Sequence, residues 1–223
     1  MNNAGKKSTA KLQSDKSANI FAYIWIVVFV IFNVVQLVCG MAWGNPAYDW
    51  RMQTISDLGR TTAPFSLIMN YAFILQGAAF IIGIWGMKSL WRKSIITSPA
   101  RTLLTLAGAG YIVIGFFPLN VAQSTHLLFG AAPIMLFGAI GLVVSCVAMD
   151  QDRFGMLWIG TALLGIGSLL CGFLYFIEIY LGLGKGIMER IWVNIPLVWS
   201  VLVALSILYG KAAQSKNKAP APH

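Results

Sequence analysis

Residues 20–43 read IFAYIWIVVFVIFNVVQLVCGMAW, and this stretch decides the fold because it contains no charged side chain. At about 1.5 Å of rise per residue, a helix of this length covers the roughly 30 Å hydrocarbon core of a bilayer. A helix is expected because it closes its own backbone hydrogen bonds in lipid. The run is longer than the apolar part of a typical signal peptide and ends in a poor cleavage site, so we predict a retained anchor.

Five further apolar stretches follow, separated by short polar segments. The predicted spans are Ile20–Trp43, Phe65–Met87, Thr102–Leu119, His126–Met149, Gly155–Leu181 and Ile191–Tyr209. The 223 residues are 58% hydrophobic and only 10% charged, which suits lipid and excludes an ordinary soluble domain. The sequence therefore predicts an all-α, six-helix transmembrane bundle over residues 20–210. The polar tails, residues 1–19 and 211–223, are expected to be flexible.

Basic residues are distributed unevenly between the two membrane sides. With six spans both termini share one side, and that side carries twelve of the sixteen Lys and Arg residues: Lys6, Lys7, Lys11, Lys16, Lys88, Arg92, Lys93, Arg101, Arg153, Lys211, Lys216 and Lys218. The positive-inside rule predicts cytoplasmic termini and an outward-facing first loop. The net charge of +9 then matches anionic membrane lipids as partners. The sequence has no stripe of basic residues interleaved with aromatic residues, so nucleic-acid binding is not predicted.

The first loop, residues 44–64, reads GNPAYDWRMQTISDLGRTTAP and concentrates the scarce polar groups. The chain has seven carboxylates and two histidines. Stacking the spans brings this loop to the same outer face as the ends of the later spans. We therefore predict a polar pocket there, formed by Asp49, Arg51, Ser56, Asp57, Arg60, His126, Glu178, Glu189 and Arg190.

The residue types in this pocket are compatible with acyl transfer. Ser56, His126 and either Asp49 or Asp57 would supply a nucleophile, a base and an orienting carboxylate. No Gly-x-Ser-x-Gly turn supports this assignment. A second set of residues would bind the substrate, with guanidinium groups matched to an anionic headgroup: Arg51, Arg60 and Arg190, together with Glu178 and Glu189.

Each of these residues also has a purely structural explanation. Asp57 could cap a short helix, and the loop arginines could pair with its acids or with lipid phosphates. His126 could be a satisfied interfacial histidine or a group that titrates near neutral pH. A metal site could use it with an acid, but one histidine and no ligand-spaced pair argue against zinc. No P-loop, GxGxxG or haem motif is present, so no cofactor is predicted.

Small residues at a spacing of four recur within the spans, and the pairs are Ala79/Gly83, Gly141/Ser145 and Ser168/Gly172. Such pairs let helix backbones approach closely. They are sufficient for a tightly packed bundle, and they could also form a homo-oligomer face.

The run Asn45-Pro46-x-Tyr48-Asp49, followed by Thr54-Ile55-Ser56-Asp57-Leu58-Gly59 and Pro64, resembles the family known as domain of unknown function 998. Weaker marks of the same family are Asn70, Gly77, Gly115–Pro118, His126 and Gly186–Arg190. The resemblance covers residues 20–210. It implies a multi-pass protein of a bacterial or archaeal inner membrane with no established activity.

The Ile-Ser-Asp-x-Gly core followed by a proline is also similar to the outer loop of the Frag/DRAM/Sfk membrane proteins. Those eukaryotic proteins are linked to lipid remodelling, autophagy and lipid asymmetry. A similarity of this kind gives only an analogy of function. The combined expectation is an integral membrane protein that binds or processes a lipid headgroup at its outer face. The alternatives are a small transporter or permease, or an assembly partner without catalysis.

Overall fold

The computed structural model describes the backbone of residues 3–216 and the side chains of residues 17–209. The six long helices of this part are α1 (Asn3–Met41), α2 (Ser66–Gly86), α3 (Thr97–Phe116), α4 (Gln123–Ala148), α5 (Leu157–Phe176) and α6 (Lys185–Lys216). Each contains a segment long and apolar enough to cross a membrane. No strand occurs among the described residues, so the predicted all-α fold with six membrane spans is confirmed.

Three predicted span bounds are wrong by five or six residues. Helix α3 begins at Thr97 rather than Thr102, α5 ends at Phe176 rather than Leu181, and α6 begins at Lys185 rather than Ile191. Local features of the chain lie at each of these three bounds. Arg101 is accommodated in α3 because its guanidinium lies 3.8 Å from the centre of the Trp85 ring. Glu178, with a φ of 59°, follows the end of α5, and α6 begins after Gly184, with a φ of 94°.

The two tails differ in how much of them the structure describes. Helix α1 continues back to Asn3, so residues 3–19, which show no apolar period, are helical. Helix α6 likewise continues to Lys216. Residues 1–2 and 217–223 lie outside the described part. The predicted flexibility of the tails and their cytoplasmic position stay predictions.

The six helices form a closed bundle in which consecutive helices are neighbours and α6 packs against α1. Aromatic side chains fill its interior. The Trp25 ring lies 5.8 Å from Phe80 and 5.9 Å from Trp199, and all three are fully buried. Tyr111 of α3 donates a hydrogen bond of 2.7 Å to the carbonyl of Val193 in α6. These contacts join α1, α2, α3 and α6 across the centre of the bundle.

The small residues of these pairs pack against other helices of the same chain. A Cβ atom at Gly83 would collide with Trp25 of α1, and one at Gly172 would collide with Trp192 of α6. Ser145 and Ser168 are fully buried. These residues therefore explain the close helix packing, and the predicted homo-oligomer stays a prediction.

After its first residues, Gln123–Thr125, helix α4 continues in wide π-type turns. They cover His126–Ala131 and Pro133–Phe137, before regular α-helix resumes at Gly138. Pro133 has no amide hydrogen to donate, which favours a local departure from the α-helical pattern. Turns of this type are rare and often occur at functional sites. Here the first of them carries His126.

Three connections meet at one end of the bundle, which we call the polar end: residues 42–65, 117–122 and 177–184. The Arg51 side chain donates to the Gly182 carbonyl in the last of them at 2.7 Å. The Thr61 amide donates to the Asn120 side chain at 3.1 Å. Residues 44–64, which we call loop 1, therefore contact both other connections. The assignment of the polar end to the outer side of the membrane stays a prediction.

Candidate functional site

Loop 1 contains a short 3₁₀ helix, Ile55–Gly59, that lies against the bundle. One oxygen of the Asp57 carboxylate accepts hydrogen bonds from the Thr54 amide at 2.7 Å and the Thr54 hydroxyl at 2.9 Å. Ile55 and Leu58 are buried and anchor the helix. Asp57 therefore caps this helix. Its other oxygen pairs with the Arg60 Nε at 2.7 Å.

The 3₁₀ helix holds Ser56 against His126 of α4. The His126 Nδ1 lies 2.8 Å from the Phe117 carbonyl oxygen, and its Nε2 lies 3.0 Å from the Ser56 Oγ. A carbonyl only accepts hydrogen bonds, so Nδ1 carries the proton and Nε2 accepts from the serine hydroxyl. Ser56 is 5% exposed and His126 is 1% exposed. The predicted pairing of these two residues is present in the fold.

A backbone carbonyl takes the position predicted for the carboxylate of the triad. Neither Asp49 nor Asp57 makes a hydrogen bond to His126 in the described part of the chain, and the Phe117 carbonyl takes that position. A carbonyl fixes the tautomer and the ring orientation. It does not supply the negative charge with which a carboxylate stabilises the protonated imidazole.

The first turns of α6 hold loop 1 in place. Glu189 is 6% exposed, and its Oε2 accepts a hydrogen bond of 2.8 Å from the Ile55 amide. Arg190 donates to the Gln53 carbonyl at 2.9 Å and to the Tyr48 hydroxyl oxygen. Its guanidinium also lies 5.2 Å from the centre of the Trp50 ring. Because these groups are occupied by loop 1, their observed role is to fix its conformation.

Tyr48 completes this contact from the loop side. It is buried, and its hydroxyl donates a hydrogen bond of 2.6 Å to the Thr54 carbonyl. Burial raises the pKa of Tyr48 to about 12, an effect that the charge of Arg190 only partly opposes. The phenol is therefore neutral at physiological pH and available as a hydrogen-bond donor.

Three predicted site residues lie at the exposed rim. Asp49 accepts a hydrogen bond of 2.9 Å from the Arg51 amide and so closes a turn. Arg51 donates at 2.7 Å to the Gly182 carbonyl. Glu178 is exposed and makes no side-chain hydrogen bond or ion pair to any described residue. The structure thus places Glu178 outside the cluster around Ser56.

The three predicted headgroup-binding arginines have different surroundings. Arg51 and Arg190 donate to backbone carbonyls of neighbouring loops or helices. The guanidinium of Arg60 makes no such bond to the described residues, and its side chain is 42% exposed while paired with Asp57.

A partly open cleft of about 230 Å³ lies between α2 and α3 at the polar end. Its polar lining includes Thr61, Ser66 and Asn70, and its apolar lining includes Tyr71 and Phe116. Asn70 donates a hydrogen bond of 3.0 Å to the Gly59 carbonyl, while its Oδ1 atom is buried and has no partner. The cleft therefore adjoins the segment that carries Ser56, although neither Ser56 nor His126 lines it.

A second cavity of about 430 Å³ lies at the opposite end, lined by Trp91, Arg92, Lys93, Asp150, Gln151 and Asp152. The sequence predicts only membrane anchoring for the basic residues in this region. Among the described residues, no group of three or more His, Cys, Asp or Glu side chains is arranged to hold a metal ion.

The family model described as "Protein of unknown function (DUF998)" matches residues 24–206. The chain belongs to the DUF998 family. The match extends from α1 to α6 and includes all of loop 1. No curated protein and no solved structure matches the chain.

In this DUF998 protein, the sequence predicted Ser56 and His126 but missed three groups that contact them or the loop. These are the Phe117 carbonyl, the Asn70 amide and the Tyr48 hydroxyl. All three residues were already marked by the family resemblance. That resemblance was the available signal, because the function of a backbone carbonyl or a neutral amide is not evident from residue type alone.

Proposed function

We propose that this protein binds a membrane lipid at the polar end of its bundle and acts on an ester of that lipid. Ser56 would be the nucleophile and His126 the general base. The observation that supports this most directly is the 3.0 Å contact of the Ser56 Oγ with His126 Nε2, whose tautomer is fixed by the Phe117 carbonyl. A hydroxyl held against a basic imidazole nitrogen is the arrangement used in nucleophilic catalysis. Its place at the end of a membrane bundle makes a lipid the available substrate.

The proposed reaction has two steps. The Ser56 Oγ attacks the ester carbonyl carbon while its proton passes to His126 Nε2, and the ester C–O bond then breaks. The leaving alcohol takes that proton, and an acyl group remains on Ser56. Water or a second alcohol then attacks the acyl carbonyl carbon while its proton passes to His126 Nε2. The bond from the Ser56 Oγ to the acyl carbon breaks, His126 returns the proton to the serine oxygen, and the acid or new ester leaves. The imidazole thus serves as base and as acid in turn.

In the described part of the chain no carboxylate accepts a hydrogen bond from His126, and this sets an expectation for the rate. In serine hydrolases the carboxylate stabilises the imidazolium that forms during attack. Here the Phe117 carbonyl supplies a dipole only, so turnover should be slow. Because Ser56 and His126 are buried, the substrate would reach them when loop 1 shifts to admit it and then settles again with Ser56 against His126.

The remaining polar residues would support this chemistry without taking part in it. Asp57 caps the 3₁₀ helix and pairs with Arg60, whose partly exposed side chain would bind a headgroup phosphate. Glu189 and Arg190 hold loop 1 on the bundle. We propose that the polar end faces the outer side of the membrane, in keeping with the distribution of Lys and Arg. The family resemblance suggests a bacterial or archaeal inner membrane.

An alkyl fluorophosphonate tests the proposal, because it phosphonylates a serine that is activated by a base. The protein in lipid nanodiscs would be treated with the probe, and the adduct located by mass spectrometry of peptides. We expect the label on Ser56 in the wild type and its loss in Ser56→Ala and His126→Ala. Ser124→Ala is the matched control, since Ser124 is an exposed hydroxyl two residues from His126. It should react like the wild type.

Two results would contradict the proposal. One is a wild-type protein that the probe leaves unmodified at Ser56. The other is a His126→Ala variant that is labelled as fast as the wild type while remaining folded. Either result would favour the alternative in which the hydrogen bond only fastens loop 1 to α4, as in an assembly partner.

A further inference from the structure

Helices α3 and α4 meet backbone to backbone at two glycines, Gly110 and Gly130. A Cβ atom built at Gly110 would lie 2.5 Å from the Gly130 carbonyl oxygen, and one built at Gly130 would lie 2.7 Å from the Cγ1 of Ile114. Both glycines are buried. A side chain at Gly110 would therefore have to push the two helices apart, because the atom that it meets belongs to the backbone.

Gly130 belongs to the π-type segment His126–Ala131, which also carries the imidazole. A π-type turn closes its hydrogen bonds over five residues, so it is wider than an α-helical turn. The helix that faces such a turn has to leave room for its backbone. Gly110 leaves this room because it has no Cβ atom, which is a common use of glycine where backbones approach closely. The wide turn of α4 and the glycine of α3 thus fit together at this crossing.

The hydrogen bond that fixes the imidazole lies next to the crossing. His126 is one turn from Gly130, and the Phe117 carbonyl, which accepts from its Nδ1 at 2.8 Å, follows the end of α3. A methyl group at Gly110 would have to retreat from 2.5 Å to an ordinary contact distance, which separates the helices by about 0.9 Å. The same displacement at His126 would lengthen its contact with Phe117 to about 3.7 Å, which is too long for a hydrogen bond.

We infer that Gly110 and Gly130 are positioning residues for His126. They hold α3 and α4 at the separation at which Nδ1 donates to the Phe117 carbonyl, and this bond leaves Nε2 unprotonated and able to accept from Ser56. The glycines themselves contact neither the serine nor a substrate. Their effect on the reactivity of Ser56 rests on the proposed function, whereas their effect on the imidazole follows from the packing of the two helices.

¹⁵N NMR of protein labelled at histidine, in lipid nanodiscs, measures the state of the imidazole directly. The chain has two histidines, so His223→Gln leaves His126 as the single labelled ring. With both glycines in place, this ring should show one protonated and one unprotonated nitrogen. Gly110→Ala should replace this pattern with the averaged signals of two tautomers, because the Phe117 carbonyl no longer selects one of them.

Gly130→Ala provides a second test that remains available if Gly110→Ala does not fold. The Cβ atom at Gly130 meets the Ile114 side chain at 2.7 Å, while its next two neighbours lie at 3.4 Å. Ile114→Ala removes the side-chain atom that is too close. Gly130→Ala alone should therefore disturb the imidazole signals, and the double variant with Ile114→Ala should restore them. A double variant that is disturbed as much as the single one would count against the inference.

Two other glycines provide matched controls. Gly167→Ala adds the same methyl group to α5, where no atom of the described residues lies within 4 Å of the new Cβ, and it should leave the signals unchanged. Gly83→Ala forces a Cβ atom into Trp25 near the opposite end of α2. It should lower the Tm and preserve the tautomer pattern. If Gly83→Ala disturbs the pattern as much as Gly110→Ala, or if Gly110→Ala leaves it unchanged, the inference is wrong.

The fluorophosphonate reaction connects the imidazole position to the chemistry. Labelling of Ser56 in Gly110→Ala should be slower than in Gly167→Ala by about tenfold or more, since a positioned general base contributes about 10²–10⁴-fold. If the imidazole signals respond as expected but wild-type Ser56 is inert to the probe, the proposed chemistry is wrong and the positioning role stands. If wild-type Ser56 reacts, and Gly110→Ala reacts equally fast with unchanged signals, the positioning role is wrong and the ester chemistry stands.

Discussion

The contact between Glu189 and the backbone of loop 1 gives the sharpest test of how the polar end is held together. Glu189 is almost fully buried, and its Oε2 lies 2.8 Å from the Ile55 amide nitrogen. Glu189→Ala removes the acceptor and leaves a buried N–H without a partner. Such a loss costs about 1–3 kcal/mol. For a chain of this size that corresponds to roughly 2–12 °C in Tm.

Two further variants separate this hydrogen bond from general effects of charge. Glu189→Gln keeps a carbonyl oxygen that can accept from Ile55, so it should retain more stability than Glu189→Ala. Glu178→Ala removes an exposed carboxylate with no bond to any described residue, and it should change the free energy of unfolding by less than about 0.5 kcal/mol.

Thermal unfolding in detergent, followed by tryptophan fluorescence, measures all three variants under one condition. The reasoning requires the order Glu178→Ala, Glu189→Gln, Glu189→Ala from most to least stable. If Glu189→Ala unfolds at the same temperature as Glu178→Ala, the Ile55 hydrogen bond does not hold the loop. Faster labelling of Ser56 in Glu189→Ala would show in addition that releasing the loop exposes the serine.

Three other predictions follow from single observations. Gln76→Met should stabilise the protein by about 1–3 kcal/mol in an unfolding titration, because Gln76 is 1% exposed and both polar atoms of its amide lack partners; a loss of stability would contradict this. Tyr48→Phe should cost about 1–2 kcal/mol, since the donor to the Thr54 carbonyl is lost. The folded-state pKa of Tyr48 is raised from 10.0 to about 12, so its neutral form contributes stability below pH 10 that is lost between pH 10 and 12. The difference in Tm between wild type and Tyr48→Phe should therefore shrink over that range. Finally, Arg60→Cys and Lys93→Cys should react with impermeant maleimides from opposite sides of the membrane; labelling from one side would contradict the predicted topology.

Most of the fold could be predicted because hydropathy expresses the free energy of transfer from water to an apolar phase, which also places helices in lipid. The apolar run at residues 20–43 needs no tertiary information to be recognised. The start of α6 could not be predicted in this way, because Glu189 and Arg190 lie in the helix. Their charges are tolerated there since loop 1 supplies the Ile55 amide and the Gln53 carbonyl as partners. A hydropathy scale gives each residue type one value and takes no account of such partners.

The candidate site was predictable in its location and only partly in its chemistry. Short connections bring alternate loops to one end of an antiparallel bundle, which is sufficient to bring Ser56 near His126. The partner of the other imidazole nitrogen depends on the backbone direction at Phe117, which residue types do not encode. The same holds for Asn70, whose unpaired oxygen follows from the bond that its nitrogen makes to Gly59.

The attachment of loop 1 to α6 has a consequence for biogenesis. The Ile55 amide and the Glu189 carboxylate that binds it are 134 residues apart in sequence, so the ribosome makes one long before the other. Until the last helix inserts, the segment with Ser56 lacks its hydrogen bond to Glu189 and is held by its contacts with α1 and α2 and by His126. A nascent or truncated chain thus lacks one of the contacts that fix the position of Ser56, and the order of synthesis delays the complete arrangement around this serine until the whole bundle exists.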